Sequence, residues 1–204
     1  MKRFAQWIAL MALVFGSHAG SALADESTFV EVTFSVQDAG TFGVTMSAIN
    51  INDPLSFGTV GVDADQDQSV SQSFLLTYTD TLITRGAGEV SISFESFEPV
   101  TPVPAFPGSE FAHFQIPNRY LVLDTVGDVV VAPYGPNCVA GPISATTDFV
   151  GENFDNGVSR QVAQVESGCG VGTANQEIVL TLVVPAGVYP TSYSASVTIE
   201  TTVQ

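Results

Sequence analysis

From residue 28 onward, apolar and polar positions alternate with a period of two, and helical periodicity is nearly absent. In TFVEVTFSV (residues 28–36), Phe29, Glu31, Thr33 and Ser35 fall on one side and Val30, Val32, Phe34 and Val36 on the other. That is the pattern of a strand with one face toward a core. SVSQSFLLTYT, EVSISFESF, RYLVLD, DVVVAP and EIVLTLVVP are further β-rich runs, separated by Gly, Pro, Asn and Asp. Many short strands with frequent turns predict an all-β chain, an antiparallel β-sandwich of the immunoglobulin-like, Greek-key type.

One segment breaks the rhythm. Residues 95–114, ESFEPVTPVPAFPGSEFAHF, hold four prolines and several phenylalanines, which excludes a central strand and predicts a long loop. Phe106, Phe111 and Phe114 would give such a loop an aromatic lip for a sugar or a partner protein, since exposed aromatics with a polar rim mark recognition sites. The alternative is that they anchor the loop onto the sandwich. No internal repeat and no linker divides the chain, so residues 25–204 are expected to form one domain.

The start of the sequence indicates a compartment. Lys2 and Arg3 precede an apolar run at residues 4–15, and Ala22-Leu23-Ala24 supplies small residues before Asp25. This reads as a signal peptide, residues 1–24, cleaved after Ala24. The apolar run falls short of the about 20 residues that a membrane span needs, so no membrane insertion of the mature chain is expected. The expected location is secreted: the extracellular space, the cell surface or the periplasm. The chain carries 5 Lys+Arg and 21 Asp+Glu, a net charge of −16. Losing Lys2 and Arg3 leaves Arg85, Arg119 and Arg160 against 21 acids, a net of −18. Such a surface repels nucleic acid and anionic lipid. It suits cations, neutral sugars or other proteins.

Catalytic chemistry has few candidates. After the leader the only histidine is His113, with no Gly-x-Ser-x-Gly element near it, and a zinc site needs several Cys or His ligands. The expectation is a non-enzymatic protein. Asp63, Asp65 and Asp67 in DADQDQS alternate in the way that points oxygens at a hard cation such as calcium. The EF-hand pattern fails, because Gln68 stands where glycine belongs and Phe74 where glutamate belongs. An acidic hairpin turn is therefore favoured over a calcium site, and no other cofactor is expected. Cys138 and Cys169, in an oxidising compartment, predict a disulfide. It would close over residues 143–161, a polar stretch with little apolar surface to bury. In YTDTLITRGAGEVSISF (residues 78–94), Arg85 precedes Gly86-Ala87-Gly88. The reading is a corner between strands, with glycines at positive φ and Arg85 held by carboxylates or carbonyls.

PLSFGTV, then YTDT…GAGEVSISF, and finally GCGVGTANQEIVLTLVVPAGVYPTSYSASVTI resemble the WxL-domain proteins of bacterial cell surfaces. The resemblance covers most of residues 54–202. It implies a β-sandwich and non-covalent attachment to peptidoglycan. The two Trp-x-Leu positions fall on Glu89-Val90-Ser91 and Ile199-Glu200-Thr201, so both motifs are replaced. The final LVVPAGVYPTSYSASVTI is more faintly similar to spore-coat and pilus-type secreted sandwiches, which implies assembly through strands. Two functions are thus expected in order: a surface or adhesion module that binds wall polysaccharide or other surface proteins, and, second, a self-associating subunit of an extracellular fibre or coat.

Overall fold

The period-two runs become strands whose buried positions alternate as the sequence requires. The computed structural model describes residues 28–38, 43–63, 65–80, 85–101, 113–131 and 141–203; the expected leader and its cleavage site lie outside them. In chain order the strands are β1 (Thr28–Asp38), β2 (Gly43–Ala48), β3 (Ser56–Val62), β4 (Gln68–Asp80), β5 (Gly88–Phe94), β6 (Glu98–Pro99), β7 (Leu121–Val131), β8 (Ile143–Ala145), β9 (Arg160–Val165), β10 (Gly172–Val184) and β11 (Ser192–Thr201). One sheet has the order β3-β1-β11-β5-β9-β8, with β6 also on β11, and the other the order β2-β4-β10-β7. The chain is an all-β sandwich. Among the described strands the ladders are antiparallel except one: β1 runs parallel to β11, from Glu31 opposite Ser192 to Asp38 opposite Ile199.

Each sheet turns one face inward. On β10, Ala174, Ile178, Leu180, Leu182 and Val184 are buried, and on β11, Tyr193, Val197 and Ile199 are. Val32 of β1 is also fully buried. Edge-to-face aromatic pairs join separate elements: Phe57 with Phe74 at 5.5 Å, Phe57 with Phe97 at 6.2 Å, and Phe94 with Phe154 at 4.9 Å. A buried polar side chain bridges this core. The Gln176 amide donates to the carbonyls of Val162 (3.0 Å) and Gly127 (3.1 Å), and its oxygen accepts from the Tyr78 hydroxyl. Gln176 is on β10 and Val162 on β9, so this bond ties one sheet to the other. Burial pushes the Tyr78 hydroxyl pKa well above its ordinary value.

Several local expectations change. RYLVLD and DVVVAP are one strand, β7, which accommodates Gly127 through two register shifts against β10. The strands on either side of the acidic stretch form no hairpin: β3 lies in one sheet and β4 in the other. Gly86 and Gly88 do not adopt positive φ. A Cβ on Gly88 would sit 2.6 Å from the backbone of Val203, so close approach of the C-terminal segment excludes a side chain there. The stretch 143–161 is more apolar in its placement than its composition suggested, since Ile143 and Phe154 are buried and Phe149 packs on the core. The proline-rich excursion starts on the sandwich, with Phe97 fully buried and bridged to Ile116.

Candidate functional site

Arg85 lies where β4 ends and the chain crosses toward β5. Its guanidinium is fully buried and pairs with the carboxylate of Asp80, the last residue of β4. It also donates to the carbonyl of Gly141 and, through two nitrogens at 3.2 and 3.0 Å, to the carbonyl of Glu166. Backbone bonds between Arg85 and Gly168 run both ways, at 2.6 and 2.9 Å. A Cβ on Gly141 would stand 2.6 Å from the guanidinium, and one on Gly170 would stand 2.5 Å from the Asp80 carbonyl. The cation is thus enclosed by protein on every side described, and a ligand anion has no room there. The expected partners, carboxylate and carbonyls, are the ones it has. This is a structural clasp.

A second cluster faces solvent. The turn after β10, residues 185–190, is gripped from two directions through one residue. Gly187, at φ 69°, donates its N–H to the carbonyl of Asp63 at 3.0 Å and accepts from the N–H of His113 at 3.1 Å. Asp67 accepts from the N–H of Ala186 at 2.7 Å, and Asp63 caps the N–H of Asp65 at 2.8 Å. On the other flank, Tyr189 donates its N–H to the carbonyl of His113 at 2.8 Å, and the rings of Phe114 and Tyr189 lie 5.9 Å apart. Tyr193 donates its hydroxyl to the carbonyl of Tyr189 at 2.8 Å. Burial first, then Tyr189 and Glu98, pushes the Tyr193 hydroxyl up to about 12.

Two groups that the sequence treated separately therefore flank one turn: the exposed aspartates, bonded to it through Asp63 and Asp67 with Asp65 between them in sequence, and the aromatic lip. Of that lip, Phe114 is described and is 37 % exposed, whereas Phe106 and Phe111 lie outside the described residues. Tyr189 is the member that sequence reasoning missed as a site residue; its signal was the Tyr-x-x-x-Tyr spacing with Tyr193. Exposed carboxylates can hydrogen-bond hydroxyls, and half-exposed rings can stack on the apolar faces of sugars.

The aspartates have local employment, since Asp63 and Asp67 already accept backbone N–H groups. Among the described residues, no group of three or more His, Cys, Asp or Glu comes together to hold a metal ion. We expect added calcium to leave the melting temperature where matched ionic strength leaves it. A specific site would instead add about 2.7 kcal/mol at 100 times its dissociation constant. A calcium-dependent rise abolished by Asp65→Asn, but not by a distant Asp→Asn, would reverse this reading.

Cys169 is half-buried and is not a free thiol; Cys138 lies outside the described residues. The two stretches where the resemblance places Trp-x-Leu are neighbours, on β5 and β11, with Val90 opposite Thr201 and Ser91 opposite Glu200. Glu89 and Glu200 are exposed there, and Val90 and Ile199 belong to the core. Among the described residues no helix is long and apolar enough to cross a membrane. No protein-family model matches this sequence, and no curated protein is significantly similar to it.

Proposed function

We propose that the chain is an exported, non-enzymatic protein of the cell envelope, a WxL-like module that adheres by binding surface polysaccharide or another surface protein. The observation that carries this reading is the turn at Gly187, which bonds the exposed Asp67 on one flank and carries the Phe114–Tyr189 ring pair on the other. Polar residues inside the sandwich do structural work: Arg85, Asp80 and Gln176 each bond to groups that hold strands together. The negative surface favours a neutral ligand over an anionic one. No cofactor is invoked. A Cys138–Cys169 disulfide forms part of this proposal and fits an oxidising compartment.

The ligand is expected to be a wall polysaccharide other than bare peptidoglycan, because both Trp-x-Leu positions are replaced. Co-sedimentation of the exported chain with intact cell wall, and with sacculi stripped of other polymers, tests this. Binding to intact wall should be saturable, Phe114→Ala should weaken it about tenfold, or about 1.4 kcal/mol, and stripped sacculi should retain little. Tight binding to stripped sacculi would make peptidoglycan the ligand. Filaments in negative stain, with no wall binding, would make the chain a structural subunit of a fibre or coat instead.

A further inference from the structure

Among the described residues four strands end the two sheets, and three of them are blunted. β8 has only three residues. β3 is distorted by a register shift opposite Val32 and Thr33, with Gly58 at φ 77°. β7 carries exposed Asp124 and Asp128, takes two register shifts, and has its first residues covered by the segment at 151–154, as in Leu123 N–H to the carbonyl of Glu152 at 3.0 Å. These are the devices by which proteins prevent strand addition at an edge.

β2 has none of them. Its six residues, GVTMSA, carry no charge and no proline, and they pair with β4 without a register shift from Gly43 opposite Thr79 to Ala48 opposite Phe74. Among the described residues, no strand pairs with its outer side. Ile49 and Ile51, just beyond it, are 50 % and 76 % exposed, and Ile49 lines a cleft of about 510 Å3 at that end of the strand. In a chain of net charge −16, β2 is thus an uncharged edge, unpaired among the described residues and continued by two exposed isoleucines.

We propose that β2 is a homotypic interface: two copies of this chain join their β2 strands antiparallel across a two-fold axis, merging their four-stranded sheets into one. The backbone edge demands a β-strand as occupant, and its surroundings demand one without carboxylates. β2 itself meets both demands. The pleat narrows the register, because inward residues must meet inward residues. With Met46 of each copy on the axis, Thr45 of one copy faces Ser47 of the other, Val44 faces Ala48, and Gly43 faces Ile49. Val44, Met46 and Ala48 are the buried face of β2, so both cores continue across the junction. Hydroxyl residues pair outside, a favourable cross-strand combination. Each exposed Ile49 faces a residue without a side chain. Such an isologous contact closes on itself and yields a dimer, not a fibre, and it would present two ligand rims at once. The inference is independent of what those rims bind.

The test is the molar mass of the purified exported chain by light scattering across a range of concentrations, with amide hydrogen exchange over residues 43–48. The wild type should have twice the monomer mass and protected β2 amides. Thr45→Lys, at an exposed position, should halve the mass and unprotect those amides while the melting curve keeps its shape. Thr45→Val, and Thr125→Lys on the opposite edge, should remain dimeric. A wild type that stays monomeric up to about millimolar concentration overturns the proposal, as does an assembly of any size that survives Thr45→Lys.

Discussion

Arg85→Met should lower the stability of the domain by about 3–5 kcal/mol, the range for breaking a buried ion pair by removing one partner. At roughly 2–4 °C per kcal/mol for a domain of this size, the melting temperature should fall on the order of 10 °C. The variant leaves the Asp80 carboxylate buried beside a thioether, and the carbonyls of Gly141 and Glu166 lose their charged donor. Asp80→Leu should cost a similar amount, since it strands the guanidinium instead. The double variant should be more stable than either single one, because replacing both members of a buried pair with apolar groups is often close to neutral. Urea unfolding of the four proteins measures the coupling. Additive losses would mean that Arg85 and Asp80 act separately, contrary to the clasp.

Cys138→Ser should produce the second large loss. For a loop of about 30 residues the loss of unfolded-state chain entropy corresponds to roughly 3–4 kcal/mol, a large share of a typical domain's stability. The proposed bond gains support from its surroundings. Gly141 donates its N–H to the carbonyl of Cys169 at 3.1 Å, and Glu166 donates to the carbonyl of Pro142 at 3.0 Å. The chain three residues after Cys138 is thus laid against Cys169. Unreduced peptide mapping by mass spectrometry should recover a linked Cys138–Cys169 pair. Two free thiols, or a Cys138→Ser variant that melts with the wild type, would remove the bond from the account. Because Arg85 holds Gly141 and Glu166 at the same corner, losses from Arg85→Met and Cys138→Ser should not add.

The strands were legible because alternation is written directly into runs such as Phe74, Leu76 and Tyr78 of β4 and Ile178, Leu180, Leu182 and Val184 of β10. Arg85 was legible as a held cation because so few cations exist to serve so many acids. What joins distant segments was not legible. Gly88 looks like a turn glycine until Val203 is laid 2.6 Å from its missing Cβ. DADQDQS looks like a hairpin turn because nothing local says that β3 and β4 belong to different sheets. The parallel β1–β11 ladder leaves no periodic trace at all. Phe154 sits in a polar stretch, and only its contact with Phe94 identifies it as core. The candidate site followed the same rule: its aspartates and Phe114 could be named one by one, but their meeting at Gly187 is a product of the tertiary fold.

The path of the chain between the two sheets bears on how the protein reaches this state. Among the described strands, only β8 and β9 are both consecutive and paired; every other ladder joins elements separated by at least one crossing of the sandwich. The longest link, Glu31 to Ser192, spans 161 positions of sequence. Loop-closure entropy must be overcome before such contacts give any return, which places folding in the slow range, on the order of milliseconds to seconds. A chain made from its N-terminus holds β1 ready long before β11 exists. Its seven-stranded sheet therefore closes only after synthesis has passed residue 201, and until then the first strand waits with one neighbour missing.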